Sequence, residues 1–362
     1  MAKRVGVDKI LFCTTLVLVV IGLVMVFSAS AITSQAASGS PYSFLIKQAV
    51  WAVLGLAAMT VLMQVDYKKY SQPRVVFPLV ALTALLLLAV FAMPVSHGAH
   101  RWIKLGPLSL QPSEIAKPAL VLFLAWFLQN KLHMINDWRG TLIPAALPSL
   151  LFIGLILKEP DLGTALVCAV VTALILYLAG IDLKYLAMAG AAALPVLVWM
   201  LSVKFRRDRL IAFLFPDRDP QGIGYHMNQS LIAVGTGGLF GRGYMGGLEK
   251  LFYLPESHTD YIFANIAEEL GLAGTLVVVT LFVVLGYRGL RAALLSRDPF
   301  ARFLAFGITT TILIQAFFNI SVVLALVPTK GITLPFISYG GTSLFITLLS
   351  IGVLLNITRE CD

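Results

Sequence analysis

The chain has 362 residues, of which 59% are hydrophobic and only 12% charged. A soluble domain carries about twice that charged fraction, so a soluble globular enzyme is excluded. The formal charge of +9 is not a nucleic-acid signature either, because much of the basic surplus falls in loops between apolar runs, where it orients a membrane protein.

Apolar runs of about 18 or more residues, the length needed to cross a bilayer as helix, recur from end to end. Strand-barrel spans would be about ten residues long and alternating, and no such pattern is present. Cys13, Cys168 and Cys361 have neither disulfide-framework nor metal spacing.

In chain order the runs place spans at about 10–31, 44–65, 74–95, 113–130, 141–158, 162–180, 184–203, 260–287, 300–326 and 338–357. The first exceeds the 7–15 residues of a usual signal core and reads as a retained span. The expected fold class is all-α: a polytopic membrane protein of about ten transmembrane helices, one integral-membrane domain over 1–362.

With the N-terminus inside, the inner segments carry Lys68, Lys69, Arg74, Lys131, Arg139, Lys184, Arg288, Arg291, Arg297 and Arg359. The short outer loops carry only Lys47, Arg101, Lys104 and Lys330. Positive charge therefore favours N-in and C-in. No internal repeat is visible, so the inverted-repeat signature of many transporters is missing.

The loop over 204–259, between the seventh and eighth spans, is large, polar and outside. Its apolar patches Leu231-Ile232-Ala233-Val234 and Leu251-Phe252-Tyr253-Leu254 predict a folded loop with re-entrant or interfacial elements, because structureless loops of this length are uncommon. Arg206-Arg207-Asp208-Arg209 and Phe215-Pro216-Asp217-Arg218-Asp219-Pro220 put basic groups beside the membrane face. The glycine-rich 235–243, with Arg242, offers backbone N–H groups to an anion, or else only tight packing.

Residues 251–270 gather Glu256, His258, Asp260, Glu268 and Glu269 at a membrane edge, where ionisable groups are expensive and need a reason. A helix starting near Asp260 would put Asp260 and Glu268 on one stripe, about 12 Å apart along the axis. Cooperating carboxylates at one sugar carbon lie about 5–9.5 Å apart, so these two are not expected to share a reacting centre. A single carboxylate can serve as a general base. Asp260 can equally cap the helix, with Thr259 as a rival cap, and spacing does not choose among Glu256, His258 and Asp260.

Elsewhere, Glu114 and Lys117 can pair at i, i+3 on the fourth span, and Glu159 and Asp161 meet at a span junction. Arg101-Trp102 forms an interfacial anchor or a phosphate contact. The run from Pro328 to Gly341, with Lys330 and Ser338, implies irregular backbone near membrane depth, or a tight turn.

Taken together, His100-Arg101-Trp102-Ile103, Gln111-Pro112-Ser113-Glu114, Glu159-Pro160-Asp161-Leu162-Gly163-Thr164, Gln229-Ser230-Leu231-Ile232-Ala233, Leu254-Pro255-Glu256-Ser257-His258-Thr259-Asp260 and the 328–341 run resemble the shape, elongation, division and sporulation (SEDS) family over essentially the whole chain. Pro328-Thr329-Lys330-Gly331 and Glu256-Ser257-His258-Thr259 look more like its division branch, typified by FtsW, than its elongation branch, typified by RodA. The resemblance implies a peptidoglycan glycosyltransferase of the bacterial cytoplasmic membrane, enriched at the septum, that polymerises lipid II, an undecaprenyl-diphosphate-linked disaccharide pentapeptide. It maps the family's essential loop aspartate onto Asp260, with Arg101, Glu114 and Lys117 at supporting positions.

Further implications of the resemblance are a divalent cation (Mg²⁺ or Mn²⁺) held mainly through the substrate diphosphate, and no organic cofactor. The implied partners are a class B penicillin-binding protein transpeptidase and other divisome or elongasome membrane proteins, not nucleic acid. A lipid II flippase and a non-catalytic division scaffold are the alternatives from other classes.

Overall fold

The computed structural model describes residues 6–94, 100–105, 108–215, 222, 224–251 and 253–360. Cys361, Phe252 and most of the 215–220 segment lie outside the described residues. Twelve α-helices occur among the described residues: α1 (Lys9–Ser38), α2 (Ser43–Leu62), α3 (Pro73–Ala89), α4 (Pro112–Gln129), α5 (Ile143–Lys158), α6 (Leu162–Leu178), α7 (Leu183–Ser202), α8 (Lys204–Leu214), α9 (Tyr225–Gly237), α10 (Ile262–Leu295), α11 (Pro299–Val323) and α12 (Gly341–Thr358). A two-stranded antiparallel hairpin, β1 (Ile103–Leu105) with β2 (Leu108–Leu110), precedes α4.

A helix occupies each of the ten expected stretches. Among the described residues seven helices are long and apolar enough to cross a membrane, namely α1, α2, α3, α5 with its preceding turn, α10, α11 and α12, and shorter apolar helices lie at α6 and in α7. The chain is thus an all-helical, polytopic membrane protein.

Local chemistry sets the helix starts. Asp8 accepts the N–H groups of Ile10 and Leu11, both at 3.0 Å, and Asp298 accepts that of Phe300 at 3.0 Å, so aspartates cap α1 and α11. Proline stands at the first turn of α3, α4 and α11, where its missing N–H has no helical partner to lose.

Helices α4, α11 and α12 form the buried centre, with α2 packed on α12, α1 and α11 on α10, and α3 and α6 flanking α4. Some buried hydroxyls are satisfied within their own helices: Thr309 Oγ1 donates to Ala305 O (2.7 Å) and Thr347 Oγ1 to Ser343 O (2.7 Å). The start of α1 and the end of α12 lie together. Arg288 Nε donates to Asp8 Oδ2 (2.6 Å), Asp8 N–H to Thr358 Oγ1 (3.3 Å), and Lys68 pairs with Glu360 (3.2 Å).

Among its described residues the 204–259 segment carries helices. It contains α8 and α9, and the apolar patch at 231–234 lies in α9, which packs on α10. Two expectations change here. Helix α10 begins at Ile262, so Asp260 precedes it, and no shared helical stripe joins Asp260 to Glu268. The helix is also broken at Gly271 (φ 65°, ψ −163°), a region of backbone space that is essentially glycine-only.

The glycine-rich segment covers that break. Leu272 N–H donates to Gly238 O (2.9 Å) and Ala273 N–H to Leu239 O (3.1 Å), while Arg242 N–H donates to Glu268 O and Gly243 N–H to Glu269 O, both 3.0 Å. A Cβ on Gly241 would collide with Glu269 O. These glycines therefore permit close backbone approach and supply the hydrogen bonds the broken helix lacks. The packing reading holds, and the N–H groups of Arg242 and Gly243 are already occupied by carbonyls. Replacing Gly271 by Ala should lower stability by about 1–3 kcal/mol from backbone strain alone, read as a lower melting midpoint of the detergent-purified protein.

Candidate active site

Four consecutive carbonyls run up to Asp260, and each accepts a hydrogen bond from a different group. Asn265 Nδ2 on α10 donates to Ser257 O (2.8 Å), and the backbone N–H of Tyr339 to His258 O (2.9 Å). Ser338 Oγ donates to Thr259 O (2.6 Å), and Asn319 Nδ2 on α11 to Asp260 O (2.8 Å). The strap is held from both sides, by two helices and by the irregular 328–340 segment.

The Asp260 carboxylate is treated differently. Among the described residues it accepts no hydrogen bond and joins no ion pair, and it does not cap α10. Gly331 lies against it: a Cβ there would come within 2.8 Å of Asp260 Oδ2. The residue keeps a part-open surface, while the protein crowded around the carboxylate strips it of bulk water. That desolvation, reinforced by Glu256 and Asp161 and opposed by Arg101 and Arg209, pushes the carboxyl up from 3.8 to about 7. A base poised near the working pH transfers protons most effectively.

The groups around it divide into those that hold backbone and those with charge at the opening. Arg101 Nε donates to Glu159 O (3.0 Å) and its Nη2 to Pro160 O (2.6 Å), so these donors clamp the α5–α6 junction. Asp161 caps α6, accepting from Thr164 N–H (3.1 Å) and Thr164 Oγ1 (2.9 Å). Arg209 on α8 donates to Thr329 O (3.4 Å), bridging the loop to the Lys330 segment. Lys330 is half-buried, and burial lowers its pKa.

His258 is half-buried against Phe44 (4.8 Å between ring centroids) and Tyr339 (5.7 Å), and burial lowers its pKa below the usual value. It is a neutral packing ring at pH 7. Glu256 is exposed and accepts from Thr259 Oγ1 (2.9 Å). Of the three rival bases, Asp260 combines a free carboxylate, an opening and a raised pKa.

Other candidates stand elsewhere in the bundle. Glu114 and Lys117 form a buried pair at 2.8 Å, and Lys117 Nζ also donates to Gln315 Oε1 (2.6 Å). A cavity of about 20 Å³, room for about one water, opens beside them between α4, α11 and α12. Ser230 Oγ donates to Val323 O (2.8 Å), tying α9 to the end of α11. Gln229 and Arg206 are half-buried on α9 and α8 and make no side-chain hydrogen bond to the strap among the described residues.

Glu268 is buried and accepts from Leu248 N–H (2.7 Å) and Glu249 N–H (3.3 Å), with Arg242 at 3.6 Å. It anchors the loop and is not bonded to the Asp260 strap. Glu269 does the same with Lys250 (2.6 Å), Met245 N–H (3.0 Å) and Ser28 Oγ (2.7 Å). Removing one partner of such a buried pair costs about 3–5 kcal/mol.

Asn265, Asn319 and Gln315 lie outside the motifs that carry the family resemblance. The available signal was an amide side chain within an apolar helix, since polar groups at membrane depth default to a function.

Residues 8–362 match the FtsW, RodA and SpoVE family, described as cell cycle proteins. The chain belongs to this family. It is 41% identical over 357 residues, 98% of this chain and 95% of the relative, to a probable peptidoglycan glycosyltransferase FtsW of Geobacter metallireducens. It is 40% identical over 362 residues, 99% of this chain and 98% of the relative, to stage V sporulation protein E of Bacillus subtilis. Among solved structures, one chain of a peptidoglycan synthase complex superposes with a TM-score of 0.79 at 29% identity, covering 99% of this chain and 100% of that one. The rod shape determining protein RodA of Thermus thermophilus superposes with a TM-score of 0.71 at 27% identity, covering 99% and 98%. The likeness to FtsW, RodA and SpoVE thus extends over the whole bundle, loop included.

Glu159 gives a separate test of the site's electrostatics. It is 0% exposed, neither carboxylate oxygen has a partner among the described residues, and desolvation with nearby Asp161 pushes it up from 4.5 to about 8. Its folded-state pKa lies above the unfolded one, so the folded form holds a proton that the unfolded chain has lost between about pH 4.5 and 8. Stability should fall across that window. Glu159→Gln should remove this dependence, so its melting midpoint should exceed that of the parent protein by a margin that grows from pH 5 to pH 8.

Proposed function

We propose that this chain polymerises lipid II at the outer face of the bacterial cytoplasmic membrane, with Asp260 as the general base. The free, desolvated carboxylate on a strap whose carbonyls are all held carries this reading. Asp260 takes the proton of the acceptor sugar's 4-hydroxyl. The oxygen attacks the donor's anomeric carbon, and the bond to the diphosphate breaks on the opposite face. Configuration inverts and undecaprenyl diphosphate departs. Arg209 and Lys330, brought together by the Arg209–Thr329 contact, lie where positive charge can stabilise the leaving diphosphate.

A divalent cation, Mg²⁺ or Mn²⁺, fits as a companion of the diphosphate. Among the described residues no group of three or more His, Cys, Asp or Glu is gathered to hold a metal, so its ligands would be the phosphate oxygens of the substrate and water. Bound there, it would neutralise charge on the leaving group.

The proposed topology is ten spans, N-in and C-in, with α8, α9 and the Asp260 strap outside. The meeting of Asp8 with Thr358 supports it, because ends on one side require an even number of crossings. The names of the FtsW and SpoVE relatives favour septal or spore wall synthesis over elongation. The TM-score to a synthase-complex chain supports a class B penicillin-binding protein as the partner that crosslinks the new strand.

Purified protein in detergent should convert lipid II to polymer with no second compartment, which a flippase would not do. Asp260→Asn should reduce polymer by at least about 100-fold while keeping the parent melting midpoint. Because the base acts deprotonated, the parental rate should climb as pH rises through about 7, following the Asp260 carboxyl. Substantial polymer from Asp260→Asn sinks the assignment.

A further inference from the structure

Two asparagines hold the ends of the strap in the same way. Asn319 is 1% exposed, and its Nδ2 donates both to Asp260 O (2.8 Å) and to Ile332 O (2.7 Å). Asn265 is 0% exposed, and its Nδ2 donates to Ser257 O (2.8 Å). In both, Oδ1 is buried without a partner among the described residues. An unsatisfied buried acceptor costs about 1–3 kcal/mol, so these amides tolerate a penalty in order to present donors to these carbonyls. Gln315, one turn before Asn319 on α11, shares only the donor half of this pattern: its Nε2 donates to Thr333 O (3.0 Å), but its Oε1 accepts from Lys117.

We infer that Asn319 and Asn265 are positioning residues that place the Asp260 carboxylate by gripping its backbone from α11 and α10. This inference rests on the proposed role of Asp260. The physical reason for an amide follows from what each alternative would do. A donor aimed at the carboxylate itself would stabilise the anion and weaken the base. A cation would do so more strongly, and an apolar residue would leave two carbonyls without this donor at 319 and one at 265. A neutral donor on the backbone fixes the residue and leaves its carboxylate untouched.

Asn319 ties the two irregular segments to each other as well as to α11. Its single NH₂ group bridges the Asp260 strap and the 328–340 segment, whose Gly331 lies against the carboxylate. Losing it frees both walls of the site together. The charged groups facing Asp260 are Glu256 just before the strap, Asp161 at the start of α6, Arg101 before β1 and Arg209 on α8, with Tyr261 adjacent. Asn319 and Asn265 are uncharged, so replacing them removes no charge from this set. Any change in the titration of Asp260 then reports geometry and water access.

The test is the rate of lipid II polymerisation by full-length protein in detergent, measured against substrate concentration from pH 5.5 to 9. Asn319→Ala should lower kcat about 10- to 100-fold, the effect of a displacement of about 1 Å at a reacting group, with KM within about threefold. Its acid limb should move lower by about half a pH unit or more, as water reaches the loosened carboxylate. Asn265→Ala should shift both quantities in the same direction, and Asn319→Ser, which retains a shorter donor, should recover part of the rate.

The control is Asn356→Ala. Asn356 accepts from Tyr67 N–H (2.9 Å) and donates to Met63 O (3.0 Å) at the opposite end of the bundle, so its loss should leave the acid limb in place. Where Asn319→Ala does not fold, Asn319→Ser and Asn265→Ala carry the test with shifts of the same sign. Parental kcat in these variants, or a lowered kcat with an unmoved acid limb, overturns the inference. Polymer from Asp260→Asn instead overturns the underlying role of Asp260, so the two failures are distinguishable.

Discussion

Backbone that is not helical can sit within a membrane bundle only where its polar groups find partners inside the protein or face a water-filled cavity. The strap from Ser257 to Asp260 meets that demand with four separate donors, from α10, α11 and the 328–340 segment. The same solution decides the chemistry. Because the donors are directed at the carbonyls, the Asp260 carboxylate is left bare beside Gly331, and desolvation raises its pKa. Had the strap been a helix, its carbonyls would have been satisfied internally, and this geometry would not arise.

A second non-helical element answers the same constraint. The break at Gly271 leaves backbone groups of α10 without helical partners, and the 238–243 segment supplies them in reciprocal pairs. Glu268 and Glu269, just before the break, then fasten 242–250 through backbone N–H groups, Arg242 and Lys250. Buried charges of this kind do little for stability compared with apolar packing, but breaking one partner is expensive. They make the loop part of the bundle, and the loop leads directly into the strap that carries Asp260.

The cations of the site are also divided by what they bond. Arg101 has donors on two carbonyls of the α5–α6 junction and acts on Asp260 only through space. Arg209 and Lys330, linked across Thr329, stand nearer to the role of charge at the opening. Glu114 and Lys117 neutralise each other inside the bundle, and through Gln315 their pair reaches the Thr333 backbone.

Apolar runs were enough by themselves to indicate a multi-span helical membrane protein and to mark ten stretches that each hold a helix. That signal is local, set by the thickness of the bilayer. Asp260 was legible as a candidate, and the family motifs separated it from Glu256 and His258. Only the tertiary structure decided that Glu268 belongs to the loop anchor, that the glycines of 235–243 seal a broken helix, and that Asn265 and Asn319 hold the strap. Each of those outcomes depends on which backbone groups a fold leaves unpaired. That is a property of how distant segments meet, and neither periodicity nor spacing along the chain contains it.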